Sequence, residues 1–271
     1  MSLAMLEGKE LLAGKKTIVT GGAGGIGSAT VDEFARQGAT VYSIDINDEV
    51  GEKFAAESNA KGYTGKVIYV HCDVTDKDEV DRVFRAADEA MGGFDVLIHC
   101  AAKMQPPARP EAYSREDYNF IYDNDMWGTI AVDQVACEIM KKYGQGVIVN
   151  YSSETALDGN PVDGLYSSAK AAVHTWTRCI AKDWGHAYNI RCNSIMPTIK
   201  TPMYRDYVDS MAPKEREAFL ASRRAKHPIK GDMGDADVDI APVMVFLACD
   251  MSQYITGQIF PINGGNSMIR G

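Results

Sequence analysis

The chain has 271 residues, a net charge of −9 and a hydrophobic content of 45%. Its acidic balance argues against a nucleic-acid partner, because phosphates require a basic surface, and no apolar run approaches the roughly 20 residues of a membrane span. The six cysteines form no Cys-x-x-Cys pair and the five histidines show no metal-ligand spacing, so we expect no metal. We also expect a cytoplasmic protein, since the start lacks a basic segment followed by an apolar one.

Strand-like and helix-like segments alternate along the whole chain. The predicted strands are 17–20, 40–45, 66–72, 94–99, 146–151, 190–195 and 258–262, and the predicted helices are 26–37, 49–61, 73–91, 118–143, 166–188 and 238–248. Such alternation predicts a doubly wound parallel sheet with helices on both faces. Because no linker or repeat divides the chain, we expect one domain over residues 1–271. Pro261 predicts that the last strand lies at a sheet edge or is bulged, since proline cannot donate to a ladder.

A glycine-rich turn joins the first predicted strand to the first helix. Glycines let the backbone approach a ligand closely, and a helix N-terminus offers free N–H groups to a pyrophosphate. The position of the turn in the first βαβ unit therefore predicts dinucleotide binding. The residues expected to contact the cofactor here are Gly21, Gly24, Gly25, Ile26 and Gly27.

Asp45 ends the second predicted strand and is followed by Ile46, and we expect both residues to contact the cofactor. An acidic side chain at this place accepts hydrogen bonds from the adenosine ribose hydroxyls, and it repels the 2′-phosphate of NADP. We therefore predict NAD as the cofactor. The alternative is that Asp45 caps the next turn, which also contains Asn47 and Asp48.

Tyr166 and Lys170 are four residues apart in a predicted helix, a spacing that places both side chains on one face. A nearby ammonium favours the phenolate and lowers a tyrosine pKa from about 10. Ser153, thirteen residues upstream, can supply a hydroxyl to the same place. The three residues indicate proton transfer to or from an oxygen of a small molecule, although Tyr166 and Lys170 alone could be an ordinary helix-face pair.

With these residues in order, the chain resembles the short-chain dehydrogenase/reductase family in its compact form, from about residue 14 to residue 265. The resemblance implies that Tyr166 is the general acid/base, that Ser153 positions the substrate oxygen, and that Lys170 lowers the Tyr166 pKa and holds the nicotinamide ribose. It also implies that Asn124 anchors a water that links Lys170 to a proton relay. The sequence departs from the family pattern at residues 99–102 and 197–201.

The same resemblance adds further cofactor contacts, which are Asp73, Val74, Cys100, Ala101, Ala102, Pro197, Ile199 and Thr201. It implies an NAD-dependent oxidoreductase that interconverts a secondary alcohol and a ketone, and an assembly into a homotetramer or homodimer. Alternatives are a lyase or epimerase, or a cofactor-binding regulator, on the same fold.

Residues 198–234 lie where the family carries a substrate lid. Five apolar and aromatic residues in this segment have roughly helical spacing, namely Met203, Tyr204, Tyr207, Met211 and Phe219. Such spacing is typical of an amphipathic flap over an apolar pocket, or of a helix packed permanently on the core. We expect a bulky apolar or cyclic alcohol as substrate, such as a hydroxysteroid. A sugar, or an anionic hydroxy acid bound through Arg223, Arg224 or Lys226, is the alternative.

Overall fold

The structure is a computed structural model that describes residues 10–268, without the side chains of residues 202, 203 and 206. A parallel sheet of seven strands forms its centre. The strands are β1 (Lys16–Thr20), β2 (Thr40–Asp45), β3 (Lys66–His71), β4 (Val96–His99), β5 (Gly146–Tyr151), β6 (Ile190–Pro197) and β7 (Ile259–Ile262). They lie in the order β3-β2-β1-β4-β5-β6-β7. The predicted doubly wound α/β sheet is confirmed as a single α/β domain.

Helices cover both faces of the sheet. They are α1 (Gly25–Arg36), α2 (Asp48–Ala60), α3 (Lys77–Met91), α4 (Arg115–Ile121), α5 (Gly128–Met140), α6 (Thr155–Asp158), α7 (Gly164–Tyr188), α8 (Pro202–Ser210), α9 (Pro213–Lys226) and α10 (Ala241–Ala248). One core packs Phe34 of α1 and Leu247 of α10 against one face. The other packs Phe84 of α3 and Ile139 of α5 against the opposite face.

Local sequence explains where the helices begin and end. The Asp76 side chain accepts hydrogen bonds from the N–H groups of Asp78 and Glu79 and so starts α3. Gly92, at φ 62°, ends the same helix in the left-handed conformation that glycine adopts at low cost. None of the described helices is both long and apolar enough to cross a membrane.

The largest differences between the predicted and the observed elements lie in two segments. The helix predicted over 118–143 is interrupted by a π-helical turn at Tyr122–Trp127, which separates α4 from α5. The polar stretch 198–234 contains α8 and α9, two helices that the sequence analysis did not separate. The edge position predicted from Pro261 is confirmed, because among the strands of residues 10–268 β7 pairs with β6 alone.

The strand order places β1 next to β4, and the connections run in opposite directions from this point. In open α/β sheets a crevice forms at such a switch point, beyond the carboxyl ends of the strands. The glycine turn after β1, Asp45 at the end of β2 and residues 99–102 after β4 therefore meet at one edge of the sheet.

Candidate active site

A cavity of about 530 Å³ opens at this edge of the sheet, within the roughly 300–1,000 Å³ of ligand pockets. Most of the predicted cofactor residues line it, together with Asn124, Tyr151 and Tyr166. The predicted residues on its wall are Gly21, Gly24, Gly25, Ile26, Gly27, Asp45, Ile46, Asp73, Val74, Cys100, Ala101, Ala102 and Thr201. Ser153, Lys170, Pro197 and Ile199 are not part of the lining.

A second, shallow depression of about 740 Å³ lies beside β7. Its wall includes Gln258, Pro261 and Met268, and Arg178 is the one charged residue among the described residues that line it. Those residues include no candidate acid/base, although the depression is larger. The chemistry favours the cavity at the switch point.

The glycine turn combines tight packing with open space. Gly21 has φ +68°, and a Cβ there would lie 2.7 Å from the backbone nitrogen of Ala101. A Cβ on Gly24 or Gly25 would meet nothing within 4 Å. Gly24 also precedes the first residue of α1, whose N-terminal N–H groups attract anions. The turn thus holds β1 against the loop after β4 and leaves room for phosphates at the helix end.

The Asp45 carboxylate is fixed at the cavity rim by the backbone. Its Oδ2 accepts a hydrogen bond from the Ala23 N–H at 3.1 Å, and its Oδ1 accepts from Ile46 and Asn47 at 2.8 and 3.2 Å. Asp45 thus organises the turn, as the alternative reading proposed, and also presents a charged oxygen to the cavity. The turn-capping alternative and the cofactor-binding prediction for Asp45 are therefore compatible with each other.

Hydrogen bonds around the buried His99 hold the segment after β4, which departs from the family pattern. His99 Nδ1 lies 2.7 Å from Thr20 Oγ1, and this hydroxyl also accepts a hydrogen bond from the Ala101 N–H at 3.3 Å. Burial lowers the pKa of His99 to about 3, so its ring is neutral. Ala101 and Ala102 keep a negative φ, as expected for alanine. The altered segment therefore still brings its backbone to the cavity.

Tyr166 and Lys170 stand on the same face of α7, as predicted. Lys170 Nζ is 5.6 Å from the centre of the Tyr166 ring, and both side chains are buried. Ser153 and Tyr151 are the hydroxyl-bearing side chains that act on the Tyr166 phenol. Its pKa is raised well above 10, first by burial and then by Tyr151 and Asp125, while Ser153 lowers it. This direction is opposite to the lowering by Lys170 that the sequence analysis expected.

Lys170 is paired with a carboxylate in the structure. Its Nζ lies 3.0 Å from Asp125 Oδ1, and the two side chains are 1% and 0% exposed. It also donates to the Tyr151 carbonyl at 3.3 Å. Asn124, which the family resemblance implies to anchor a water in a relay to Lys170, donates from its amide to the Phe120 carbonyl at 2.7 Å. The structure places Asp125 against the lysine, a contact that was not predicted from the sequence.

Sequence reasoning also missed Tyr151. Its ring lines the cavity, its centre is 5.1 Å from Lys170 Nζ, and burial raises the pKa of its phenol to about 12. The available signal was an aromatic residue at the end of β5, two positions before Ser153. Asp125 had a signal as well, since Asp125, Thr129 and Asp133 recur every fourth residue in an otherwise apolar segment.

Of the three cofactor contacts predicted at the end of β6 and in the following loop, one lines the cavity. Thr201 reaches the cavity, and its hydroxyl accepts the Tyr204 N–H at the start of α8. Ile199 is buried and forms an isolated parallel bridge with Gly234. Pro197 ends β6 opposite Ile262. Thr201 is therefore the residue of this group that the structure brings to the cavity.

Comparisons with known proteins agree with this geometry. A family model described as enoyl-(acyl carrier protein) reductase matches residues 21–267. A 3-oxoacyl-[acyl-carrier-protein] reductase of Thermotoga maritima is 35% identical over 94% of this chain and 98% of its own length. The chain belongs to the short-chain dehydrogenase/reductase family.

Other short-chain dehydrogenases/reductases show the same likeness. A 2,5-dichloro-2,5-cyclohexadiene-1,4-diol dehydrogenase of Sphingobium indicum is 34% identical over 95% of this chain and 99% of its own length. A solved structure of a short-chain type dehydrogenase/reductase from Mycobacterium ulcerans has a TM-score of 0.86 at 26% identity, and the match covers 94% of this chain and 90% of that one.

As a short-chain dehydrogenase/reductase, the protein is an oxidoreductase that acts on an alcohol or ketone, a small-molecule substrate, with a nicotinamide cofactor. The residues present fit such a dinucleotide. Open space at Gly24 and Gly25 faces the N-terminus of α1, and the Asp45 carboxylate is fixed at the rim. Among the described residues, no cluster of three or more His, Cys, Asp or Glu side chains could hold a metal ion.

Proposed function

We propose that the protein is an NAD-dependent dehydrogenase that interconverts a secondary alcohol and a ketone. The observation that carries this proposal is Tyr166, a residue that is 5% exposed, lies on the cavity wall and has a phenol on which the Ser153 hydroxyl acts. A buried phenol next to a second hydroxyl can bind one oxygen atom and exchange a proton with it.

Each residue has a distinct part in the proposed reaction. Ser153 donates a hydrogen bond that orients the substrate oxygen, and Tyr166 transfers the proton between its phenol and that oxygen. Lys170, carried over from the family, holds the nicotinamide ribose. Asn124 stays a candidate for the wall of this site, because it lines the cavity. The bound nicotinamide supplies the hydride acceptor or donor.

The proposed cofactor contacts follow the cavity from one end to the other. Backbone groups of Gly24, Gly25 and Ile26 bind the pyrophosphate at the start of α1. Asp45 accepts hydrogen bonds from the adenosine ribose, and its negative charge disfavours the extra phosphate of NADP. The remaining contacts we propose are Asp73 and Val74 for adenine, Cys100, Ala101 and Ala102 for the ribose, and Pro197, Ile199 and Thr201 for the nicotinamide.

We propose a bulky apolar or cyclic alcohol as the substrate. Met104 and Tyr151 give the cavity wall apolar and aromatic surface. The aromatic cluster of Tyr204, Tyr207 and Phe219 joins α8 to α9, with ring centres about 6 Å apart, and α9 has no buried residue. A pair of helices held together but weakly packed on the core is suited to act as a lid. The cyclic diol named for the Sphingobium relative supports the same substrate class.

An anionic substrate has less support. Arg223 stacks on the Phe219 ring at 5.1 Å and is not part of the cavity lining, and neither are Arg224 and Lys226. The acyl substrate named for the Thermotoga relative is a second candidate, since a 3-oxoacyl group also presents a ketone. We propose an assembly into homotetramers by family resemblance alone.

The test is a panel of cyclic alcohols, hydroxysteroids, sugar alcohols, hydroxy acids and a 3-oxoacyl thioester, each offered with NAD(H) and with NADP(H). Steady change in NADH absorbance supports a dehydrogenase. Product without net NADH change indicates an epimerase or lyase, and cofactor binding without turnover indicates a regulator.

Replacement of Tyr166 tests the site itself. Tyr166→Phe keeps the ring and removes the hydroxyl, so kcat should fall by about 10²–10⁴-fold, the usual contribution of general acid–base catalysis. Tyr143→Phe is a matched control, because Tyr143 lies on the surface next to Asp88 and away from the cavity. Near-normal turnover by Tyr166→Phe contradicts the assignment.

A further inference from the structure

The carboxylate of Asp125 is a buried charge next to the proposed acid/base, and the reaction above gives it no part. Asp125 is fully buried, and its Oδ1 contacts Lys170 Nζ at 3.0 Å. Burying an ion pair is expensive, because two charges lose their hydration. Stability alone therefore does not explain why the Asp125–Lys170 pair is buried here.

The backbone is built to present this side chain. Asp125 lies in the middle of the π-helical turn Tyr122–Trp127, and such wide turns are frequent at functional sites. The wide turn is stabilised by Thr129, whose hydroxyl donates to the Asp125 carbonyl at 2.7 Å. Asp125 Oδ1 also accepts the Lys103 N–H at 3.2 Å. The carboxylate therefore joins the wide turn, the loop after β4 and helix α7.

Asp125 Oδ2 gives a second, independent observation. This oxygen is buried and has no hydrogen-bond partner among the described residues. A buried carboxylate oxygen without a donor costs free energy, and burial accordingly raises the pKa of Asp125 against the opposing pull of Lys170. The oxygen is free to accept a further hydrogen bond.

The effect of the Asp125 carboxylate on Tyr166 depends on the other groups around the phenol. Lys170 faces it from α7, Asp125 from the wide turn, and Tyr151 and Ser153 from the end of β5. Lys170 supplies the one positive charge in this set, and its partner Asp125 neutralises it. The negative charge of Asp125 therefore offsets most of the effect by which the Lys170 ammonium would stabilise the Tyr166 phenolate.

We propose that Asp125 is a positioning residue that holds Lys170 and keeps Tyr166 protonated at neutral pH. Tyr166 is then ready to donate its proton to a carbonyl oxygen, whereas alcohol oxidation needs an alkaline pH. The part of this statement that concerns catalysis rests on the proposed function. The part that concerns the ionisation of Tyr166 does not.

Carbon-13 NMR of the protein labelled at the tyrosine Cζ measures the ionisation of Tyr166 without substrate or cofactor. The signal that disappears in Tyr166→Phe identifies the residue. In Asp125→Asn, which keeps the shape and removes the charge, Lys170 is unopposed and the Tyr166 signal should titrate at least about one pH unit lower. Asp123→Asn is the matched control, because Asp123 is exposed on the same turn and should change nothing.

Kinetics on the best alcohol of the panel provide the second readout. The acid limb of kcat/KM for oxidation should move to lower pH in Asp125→Asn by the same amount as the NMR titration. If Asp125→Asn does not fold, Asp125→Ser removes the same charge with a smaller side chain.

The outcomes separate the two proposals. An unchanged Tyr166 titration in a folded Asp125 variant overturns the positioning role, whatever the enzyme turns over. A shifted titration supports that role, even if the panel shows no dehydrogenase activity and so contradicts the proposed function.

Discussion

Asp133 provides the sharpest stability prediction, because it is a buried carboxylate without a cation. It lies on α5, and its Oδ2 accepts hydrogen bonds from the Asn150 amide on β5 and the Trp176 indole on α7, both at 2.8 Å. Its Oδ1 has no partner among the described residues. Burial raises the pKa of Asp133 from 3.8 to about 7, against the smaller opposing effect of the two donors.

The sign of the pH dependence follows from this direction. Between the unfolded and folded pKa values the native state binds more protons than the unfolded chain, so stability falls as the pH rises through this window. A difference of about 3 pKa units amounts to about 4 kcal/mol in total, of which about 3 kcal/mol is lost between about pH 5 and about pH 8. Asp133→Asn removes the charge, and its single carbonyl oxygen can still accept both donors.

The assay is urea unfolding of the wild type and Asp133→Asn at the two pH values. The comparison of variants is needed because burial lowers the pKa values of His99 and His174, and these neutral histidines produce the opposite slope. The free energy of unfolding of Asp133→Asn relative to the wild type should rise by about 3 kcal/mol from the lower to the higher pH. Asp183→Asn, at an exposed position on α7, should show no such rise. Parallel pH curves for the wild type and Asp133→Asn would falsify the reasoning.

Two further predictions concern the cofactor end of the cavity. Asp45→Ala removes the carboxylate that repels a 2′-phosphate, so the ratio of kcat/KM with NADP to that with NAD should rise by at least about tenfold, or about 1.4 kcal/mol; an unchanged ratio contradicts the role given to Asp45. Gly21→Ala places a Cβ 2.7 Å from the Ala101 nitrogen at φ +68°, so it should lower the free energy of unfolding by about 1–2 kcal/mol or more. Gly24→Ala places its Cβ in open space at negative φ, so the variant should keep its stability and bind NAD more weakly. Equal melting temperatures for the two variants, or unchanged NAD affinity of Gly24→Ala in a calorimetric titration, would be the contrary results.

Much of the fold could be predicted because its signals are local. Short apolar segments such as 17–20 and 146–151 alternate with helical periodicity, and this alternation specifies a parallel sheet. The strand ends then bring Gly21, Asp45 and Ala101 to one edge, which follows from topology alone. Thus the sequence could predict the location of the cavity before any distance was known.

The contact between Asp125 and Lys170 was not predicted from the sequence, and the reason lies in the backbone. A π-helical turn inserts one extra residue, so every side chain after it is displaced relative to an uninterrupted α-helix. A helix predicted without a break over 118–143 therefore does not show that Asp125 faces Lys170. Hydrogen-bond periodicity of this kind depends on packing against α7, and a single sequence does not contain it.

The direction of the Tyr166 pKa was beyond sequence reasoning for a different reason. The four-residue spacing of Tyr166 and Lys170 predicts proximity, and proximity of a cation predicts a lower tyrosine pKa. That inference holds only if the phenol is not buried and no anion lies beside the lysine. In the structure, burial raises the Tyr166 pKa most, followed by Tyr151 and Asp125. The net effect of Lys170 on the Tyr166 pKa therefore depends on three side chains, those of Tyr166, Lys170 and Asp125. The third lies on the wide turn, which is distant from α7 in the sequence.

Asp125 and Asp133 occupy the same face of one helical segment, two turns apart, with Thr129 between them. One carboxylate meets the ammonium of Lys170, and the other meets only neutral donors. Both bridge this segment to α7, the helix that carries Tyr166. The two Asp→Asn substitutions therefore remove the same charge at equivalent depth, but their consequences should differ. Loss of charge at Asp125 should act on the ionisation of Tyr166, and loss at Asp133 should act on the free energy of unfolding. A Tyr166 titration that moves equally in both variants would mean that burial of charge near α7, and not the contact with Lys170, controls the acid/base.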